Sequence, residues 1–246
     1  MKNGKLSLDA KIVSSILVSI CRFLTGIRAK QTSPIADNTP CIYYANHSSH
    51  LDGLVIWSCL APTVRPYVHP VAADDYWNKN RLRRYLSRRI FRAVLIPRYA
   101  TKMAFPESEC STEDNGQIEL TKEQPINDAS TATQNKVNAL DLMQEILDKG
   151  ESLIIFPEGT RGNGESIQDF KAGLWHLSRK NPNVQLVPIY LENLNRVLPK
   201  GSRLVVPVIC SAIFGAPIES TTEEESKQQF LVRAKSALEE LHHGTY

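Results

Sequence analysis

Long hydrophobic runs are missing from this 246-residue chain, and residue types that define special scaffolds are scarce. The 12 glycines and 14 prolines are too few for a collagen-like chain or for one dominated by low-complexity disorder. Five cysteines without a C-x-x-C pair predict neither a disulfide framework nor a zinc ribbon, so free thiols in a reducing compartment are the simpler expectation. The longest early stretch without charge, Ile12–Cys21, has ten residues including three serines, which excludes a membrane span there.

Positive charge is concentrated in one window, although the net charge of the chain is only +3. Residues 76–106 contain nine lysines or arginines and no acid, so the rest of the chain has 20 basic against 26 acidic residues. An acidic window follows, with seven acids between Glu107 and Asp128 and Lys122 as its single base. This layout predicts one strongly positive face and therefore an anionic partner.

Apolar residues near the N-terminus recur at the spacing of an amphipathic helix. One broad face would contain Ile12, Val13, Ile16, Leu17, Ile20, Phe23, Leu24 and Ile27. Ser14, Ser15, Ser19 and Arg22 would lie largely opposite. Two interpretations are open at this point: a helix packed on the core, or a helix that lies in a membrane surface.

Predicted strands alternate with predicted helices along the rest of the chain. We expect strands at 41–45, 65–72, 93–96, 152–156, 184–190 and 204–210, and helices at 51–60, 77–92, 137–150, 170–179 and 221–241. The polar, acidic residues 101–133 have no period and are predicted to be a loop or insertion. This order predicts an α/β fold with a largely parallel sheet flanked by helices, in which chemistry lies at the carboxyl ends of the strands.

The stretch Asn46–Gly53 follows the first of these strands, where an active site is expected. His47 and Asp52 are five residues apart, and a turn that leads into a helix can fold one side chain back on the other. A histidine held by a carboxylate is a general base, because the carboxylate fixes the tautomer and stabilises the imidazolium. The chain has no G-x-S-x-G nucleophile motif, so such a pair would activate a substrate hydroxyl directly.

Two other interpretations of this stretch compete with the first. In one, the polar groups only cap a helix, with Asp52 near its N-terminus. In the other, Ser48–Asp52 is compared with the H-x-H-x-D-H ligand run of metallo-hydrolases. Two of the four ligands of that run are absent, and the histidines elsewhere form no supporting cluster, so a metal site is disfavoured.

A second stretch, Phe156–Gly162, follows the strand predicted at 152–156. Its glycines let the backbone approach a ligand closely, and Arg161 offers a two-pronged guanidinium to a phosphate. Taken alone, a glycine-rich turn with an arginine is weak evidence for a site.

Together these blocks resemble the glycerophospholipid acyltransferase superfamily, in its 1-acylglycerol-3-phosphate acyltransferase branch. The resemblance is carried by Asn46–Asp52, Phe156–Arg161 and Val187–Ile189, and it runs from about residue 40 to about residue 220. A further family block appears as Ala93–Arg98, with alanine in place of the usual glycine and with an unusual proline.

The resemblance implies a role for each motif. His47 would be the general base for the free hydroxyl of the glycerol backbone, and Asp52 would orient it. The hydroxyl would attack the thioester of acyl-CoA or of acyl-carrier protein, giving phosphatidic acid without a metal or prosthetic group. The phosphate of the acceptor would be held by Arg98, Glu158, Gly159, Thr160 and Arg161.

The resemblance also favours the membrane-surface interpretation of the N-terminal helix. Residues 1–30 would form that helix, and residues 31–246 the acyltransferase domain with its insertion at 101–133. The basic residues of 79–92 would face anionic lipid headgroups, so attachment at the cytoplasmic face of the membrane would be peripheral. Nucleic acid is not expected as a partner, since no recognised nucleic-acid-binding motif accompanies the basic helix. Two alternatives are acylation of another lysophospholipid or lysolipid, and a non-catalytic lipid-binding relative.

Overall fold

A largely parallel sheet organises the computed structural model, which describes residues 7–35, 39–97, 139–197 and 208–243. Its seven strands are β1 Arg28–Gln31, β2 Cys41–Ala45, β3 Val68–Ala73, β4 Val94–Ile96, β5 Ser152–Ile155, β6 Gln185–Glu192 and β7 Ser211–Phe214. Their order across the sheet is β1-β7-β6-β2-β5-β3-β4, and the β6–β7 pair is antiparallel while the other pairs are parallel. The predicted α/β class is confirmed.

Helices cover both faces of the sheet. They are α1 Leu8–Thr25, α2 Asp52–Cys59, α3 Asp74–Trp77, α4 Arg81–Tyr85, α5 Ala139–Asp148, α6 Gly173–Lys180, α7 Leu194–Val197 and α8 Lys227–His243. A single 3₁₀ turn at Arg65–Tyr67 precedes β3, and a π-helical turn at Leu86–Ile90 continues α4.

Strand β2 shows how the sheet divides the core in two. All five of its residues are buried, as expected for a strand covered on both faces. Because side chains alternate along a strand, Cys41, Tyr43 and Ala45 join the apolar cluster that includes α1 and α2. Ile42 and Tyr44 join the other cluster, which includes α5, α6 and α8.

Several elements differ from the sequence-based prediction. The strand expected at 204–210 is observed at Ser211–Phe214: residues 208–210 are not in a strand, and residues 204–207 lie outside the described part of the chain. The helix expected at 77–92 is broken, because the Asn80 side chain accepts a 2.8 Å hydrogen bond from the Arg83 amide and starts a new helix at Arg81. Strand β1 and helix α7 were not predicted. The insertion at 101–133 lies outside the described residues.

Helix α1 packs on the core through its narrower side chains. Those that are buried include Ala10, Ser14, Val18, Cys21 and Thr25, so Ser14 lies on the buried face rather than opposite the apolar one. The large side chains of Leu8, Ile12, Ile16, Ile20 and Phe23 are instead exposed, Phe23 by 87%. Among the helices of the described residues, none is both long and apolar enough to cross a bilayer.

The parallel pairing brings the two candidate motifs to one edge of the sheet. Strands β2 and β5 are adjacent and parallel, with Tyr44 opposite Ile155, so the loops that leave their carboxyl ends are neighbours. Strand β3 is parallel to β5 and delivers α3 to the same edge. The site is therefore built where parallel sheets ordinarily place one.

Candidate active site

The predicted contact between His47 and Asp52 is present. Nδ1 of His47 lies 2.9 Å from Oδ2 of Asp52. The Asp52 side chain is fully buried, whereas 22% of the His47 side chain is exposed. The imidazole therefore joins a buried carboxylate to a surface that a substrate can reach.

The carboxylate of Asp52 is held by the turn that precedes it. Its Oδ2 accepts hydrogen bonds from the backbone amides of Ser48 at 2.7 Å and Ser49 at 2.8 Å, in addition to the His47 contact. Asp52 is also the first residue of α2, where the helix dipole favours negative charge. Because a carboxylate only accepts, Nδ1 of a neutral His47 carries the proton and Nε2 keeps its lone pair.

Two residues of the second motif form hydrogen bonds with the backbone of His47, one with its amide and one with its carbonyl. Oε1 of Glu158 accepts a 2.7 Å hydrogen bond from the His47 amide, and the Gly162 amide donates a 2.8 Å bond to the His47 carbonyl. The other carboxylate oxygen, Oε2, accepts from the Gln168 amide at 3.0 Å. Glu158 is only 2% exposed, and this burial raises the pKa of its carboxyl group. The two loops thus form one unit centred on His47.

Two further contacts restrain the loop of His47. The ring of Phe156 stacks on the imidazole, with 4.2 Å between centroids and 20° between planes. The Asn46 side chain donates to the Leu191 carbonyl at 2.9 Å and accepts from the Leu191 amide at 2.8 Å. This second contact ties the end of β2 to the end of β6, so the loop leaves the sheet in a fixed direction.

The remaining predicted binding residues lie in the turn after Phe156. Gly159 has φ 75°, a left-handed conformation that glycine adopts without steric cost. Thr160 is exposed, and its hydroxyl lies 3.4 Å from the amide oxygen of Gln168. Arg161 is exposed, and its positive charge adds to the effect of burial in lowering the pKa of His50. Arg98, the other predicted phosphate ligand, lies outside the described residues.

A cavity of about 330 Å³ opens beside His47 on the α8 side. Its lining includes Asn46, His47, Glu158, Glu165, Tyr190 and Glu239. Metal ligands are not gathered there: no group of three or more His, Cys, Asp or Glu side chains within ranges 7–35, 39–97, 139–197 and 208–243 could hold an ion. That a metal is unnecessary stays a prediction.

The geometry agrees with a comparison against known families. A family model described as "Acyltransferase" matches residues 26–192, more than half of the chain and a range that contains both motifs. The chain belongs to the acyltransferase family. The suspected family is thereby confirmed.

Curated relatives of this acyltransferase share its sequence over different lengths. It is 26% identical over 222 residues to the chloroplastic 1-acyl-sn-glycerol-3-phosphate acyltransferase BAT2 of Brassica napus, covering 87% of this chain and 52% of that protein. It is 37% identical over 68 residues to the chloroplastic 1-acyl-sn-glycerol-3-phosphate acyltransferase LPAT1 of Arabidopsis thaliana, covering 28% of this chain and 19% of that protein. The chain spans about half the length of the first of these relatives and less of the second.

A solved structure supports the fold of this family member. The crystal structure of the 1-acyl-sn-glycerophosphate (LPA) acyltransferase PlsC from Thermotoga maritima superposes with a TM-score of 0.63 and 18% sequence identity. The superposition covers 95% of this chain and 81% of that chain. The α/β arrangement around the site is therefore shared with a solved acyltransferase.

Sequence reasoning missed several residues that build this candidate site. The ring stack of Phe156 and the hydrogen bonds of Glu158 and Gly162 to the His47 backbone depend on how two distant loops meet. Asn46 belongs to the first predicted motif, but no role was predicted for its side chain. A buried polar residue at the end of an apolar strand was the available signal, because such a group requires a hydrogen-bond partner.

Proposed function

We propose that this chain is an enzyme that transfers an acyl group from acyl-CoA or acyl-carrier protein to the free hydroxyl of 1-acylglycerol-3-phosphate. The observation that carries the proposal is the 2.9 Å contact between His47 Nδ1 and the buried carboxylate of Asp52. It leaves Nε2 of His47 as a base on an exposed edge. Family membership and the names of the relatives support this acceptor and this reaction class.

Direct transfer follows from the chemistry of that base. Nε2 of His47 takes the hydroxyl proton as the acceptor oxygen bonds to the thioester carbonyl carbon. The carbon–sulfur bond then breaks, and the imidazolium returns the proton to the leaving thiolate, which departs as a thiol. Asp52 stabilises the imidazolium between these two steps, so no enzyme nucleophile is needed.

We assign the phosphate of the acceptor to Arg161 in the turn after Phe156. The turn is fastened to His47 by Gly162, so the guanidinium and the base are carried by one rigid unit. Glu158 has both carboxylate oxygens occupied by backbone amides, which supports a positioning role for it. Gly159 shapes the turn, and Thr160 and Arg98 remain proposed ligands.

Acceptor and donor are tested by measuring transfer of a radiolabelled acyl group to a panel of lysolipids, with CoA and carrier-protein donors in parallel. The proposal predicts the highest kcat/KM for 1-acylglycerol-3-phosphate. A higher value for a different lysophospholipid would replace the acceptor, and binding without turnover of any acceptor would indicate a lipid-binding protein.

The assignment of Arg161 is tested by substitution. Losing a charge-assisted contact worth about 1.5–3 kcal/mol lowers kcat/KM for 1-acylglycerol-3-phosphate by roughly 10–150-fold in Arg161→Ala. Arg161→Lys is also impaired, because lysine keeps the positive charge but cannot donate two parallel hydrogen bonds to the phosphate. Exposed Arg179, which lies over Trp175, gives the control Arg179→Ala. An equal proportional loss with monoacylglycerol, which has no phosphate, would withdraw the assignment.

We also propose that the exposed face of α1 lies on an anionic membrane surface. That face presents Ile12, Ile16, Ile20 and Phe23, each at least half exposed. An exposed arginine lies beside it, because Arg89 of the π-helical turn approaches Asp9 of α1 at 3.7 Å. Apolar side chains next to an exposed arginine match the acyl chains and anionic headgroups of one lipid surface.

Sedimentation with lipid vesicles tests this attachment. Deleting α1 would expose the core that it covers, so point substitutions are the better probe. Ile16→Ser with Phe23→Ser lowers binding to anionic vesicles, whereas Val232→Ser, at an exposed valine of α8, does not. Opposite charges attract one another over a Debye length of about 8 Å at physiological ionic strength. High salt shortens this length and so weakens the attachment of the wild-type protein to anionic vesicles. Attachment that survives both the double substitution and high salt would contradict the proposal.

A further inference from the structure

A stack of three side chains stands beside the catalytic pair and has no part in the mechanism above. The ring of His50, three residues after His47, is stacked on Tyr76 of α3 with 5.0 Å between centroids and 13° between planes. The guanidinium of Arg83 in α4 lies 4.3 Å from the centroid of the Tyr76 ring. Arg83 also donates to the Tyr76 carbonyl at 3.5 Å, so three elements meet at this stack.

The stack is anchored to the core through aromatic contacts. Tyr76 meets Trp77 edge to face at 5.5 Å, Trp77 meets Phe91 at 5.8 Å, and Phe91 meets Trp57 at 5.2 Å. Trp57 is fully buried in α2. A chain of rings from the core to the surface restricts the rotation of the outermost ring, so His50 is oriented while its edge stays accessible.

The charges around His50 are mostly positive. Burial lowers the pKa of His50, and the nearby charges of Arg161, His47 and Arg83 lower it further. Asp52 acts in the opposite direction, but it is buried and bonded to His47. Within the described residues, neither ring nitrogen of His50 has a hydrogen-bond partner. Cations collected at an open edge favour an anion there.

We propose that His50 and Arg161 together bind the phosphate of the acceptor, with Tyr76 and Arg83 as the support that orients His50. The inference rests on the proposed function and extends it to residues outside the motif carried by Arg161. The acceptor phosphate is chosen over the donor phosphates on chemical grounds. It is attached to the carbon next to the one that bears the reacting hydroxyl, and His50 belongs to the same loop as the base. The donor phosphate lies at the far end of the pantetheine arm.

The kinetic test compares two substitutions of His50. His50→Phe keeps a ring to stack on Tyr76 and removes both ring nitrogens, so KM for 1-acylglycerol-3-phosphate rises about tenfold, as for one charge-assisted contact at a part-exposed site. His50→Gln keeps one neutral donor and shows a smaller rise. The loss falls on KM more than on kcat. Exposed His176 of α6 provides the matched control His176→Gln, whose KM stays at the wild-type value.

A binding test needs no turnover. The imidazole resonances of the full chain are followed by NMR with pH, with glycerol 3-phosphate or with glycerol added. Glycerol 3-phosphate raises the pKa of His50, because the bound anion stabilises the imidazolium, whereas glycerol leaves it unchanged. Arg161→Ala reduces that rise.

The two tests separate this inference from the proposed function. An unshifted His50 pKa, together with an unchanged KM in His50→Phe, would overturn the inference even where wild type acylates 1-acylglycerol-3-phosphate. A phosphate-dependent shift in a protein that does not acylate that acceptor would sustain the subsite and remove the proposed function.

Discussion

Replacing Glu158 distinguishes two roles for its side chain: positioning His47, or binding the phosphate of the acceptor. Its two carboxylate oxygens accept from the amides of His47 and Gln168, at 2.7 and 3.0 Å. Glu158→Gln keeps the shape of the side chain but offers only one acceptor oxygen. Its amide group would point a donor at a backbone donor, so one of these two buried contacts is lost.

The size of that loss follows from the charge of the acceptor. A hydrogen bond to an ionised group contributes about 1.5–3 kcal/mol, which corresponds to a factor of roughly 10–150 in a rate. Because the weakened contact holds the base and not the substrate, the loss is expected in kcat, while KM for the acceptor stays close to the wild-type value.

Steady-state kinetics with 1-acylglycerol-3-phosphate and a saturating acyl donor measure both constants. Glu145, an exposed acid of α5 away from the cavity beside His47, provides the control Glu145→Gln, which is expected to keep wild-type kcat and KM. Circular dichroism of Glu158→Gln establishes that the chain is folded. A variant with wild-type kcat and a KM raised tenfold would refute the positioning argument, because Glu158 would then contact the acceptor.

Three other outcomes are expected. Gly215→Ala places a Cβ 2.8 Å from Pro188 Cγ, between β6 and α8. Thermal unfolding should therefore show that the free energy of unfolding falls by about 1–3 kcal/mol. An unchanged Tm would contradict this packing. Arg233 donates to both carboxylate oxygens of Glu225 and thereby lowers the pKa of that carboxyl group. The ion pair therefore stabilises the fold fully above the pKa of about 4.3 that a glutamate has in the unfolded chain. This stabilisation is lost as pH falls through the lower pKa that Glu225 has in the folded protein. Glu225→Gln should therefore lose about 0.5 kcal/mol in denaturant titrations at pH 7 and progressively less in acid, whereas a loss that grows in acid would reverse the sign. Treatment with EDTA should leave acyl transfer unchanged, and a loss restored by zinc would revive the metal interpretation of Ser48–Asp52.

Local sequence patterns predicted the elements whose hydropathy contrasts with that of the flanking residues. Strand β2 was predicted with its observed bounds, because the apolar run Cys41–Ala45 follows a proline and precedes a polar turn. Strand β1 was missed because its sequence, Arg-Ala-Lys-Gln, is exposed throughout and gives no hydrophobic signal. Its pairing with β7 is made by backbone atoms, and hydropathy does not report such pairing.

The contact between His47 and Asp52 was predictable, but the contacts that support His47 were not. The five-residue spacing of His47 and Asp52 lies within one turn, so its geometry is local. The contact of Glu158 with His47 joins residues 111 positions apart, and whether a glutamate after a strand faces a ligand or a backbone amide is decided by the packing of two loops. The buried face of α1 was misjudged at Ser14 for a similar reason. Its hydroxyl bonds to the Lys11 carbonyl within the helix, which allows a polar residue to be buried.

The central claim is that His47, oriented by Asp52, is the general base for acyl transfer to the acceptor hydroxyl. The most direct test is kcat/KM for 1-acylglycerol-3-phosphate in His47→Gln, compared with wild type at saturating acyl donor. General-base catalysis contributes about 10²–10⁴-fold, so the account predicts a loss in that range from a chain that stays folded. A folded His47→Gln variant with kcat/KM within about threefold of wild type, far below that range, would contradict the claim.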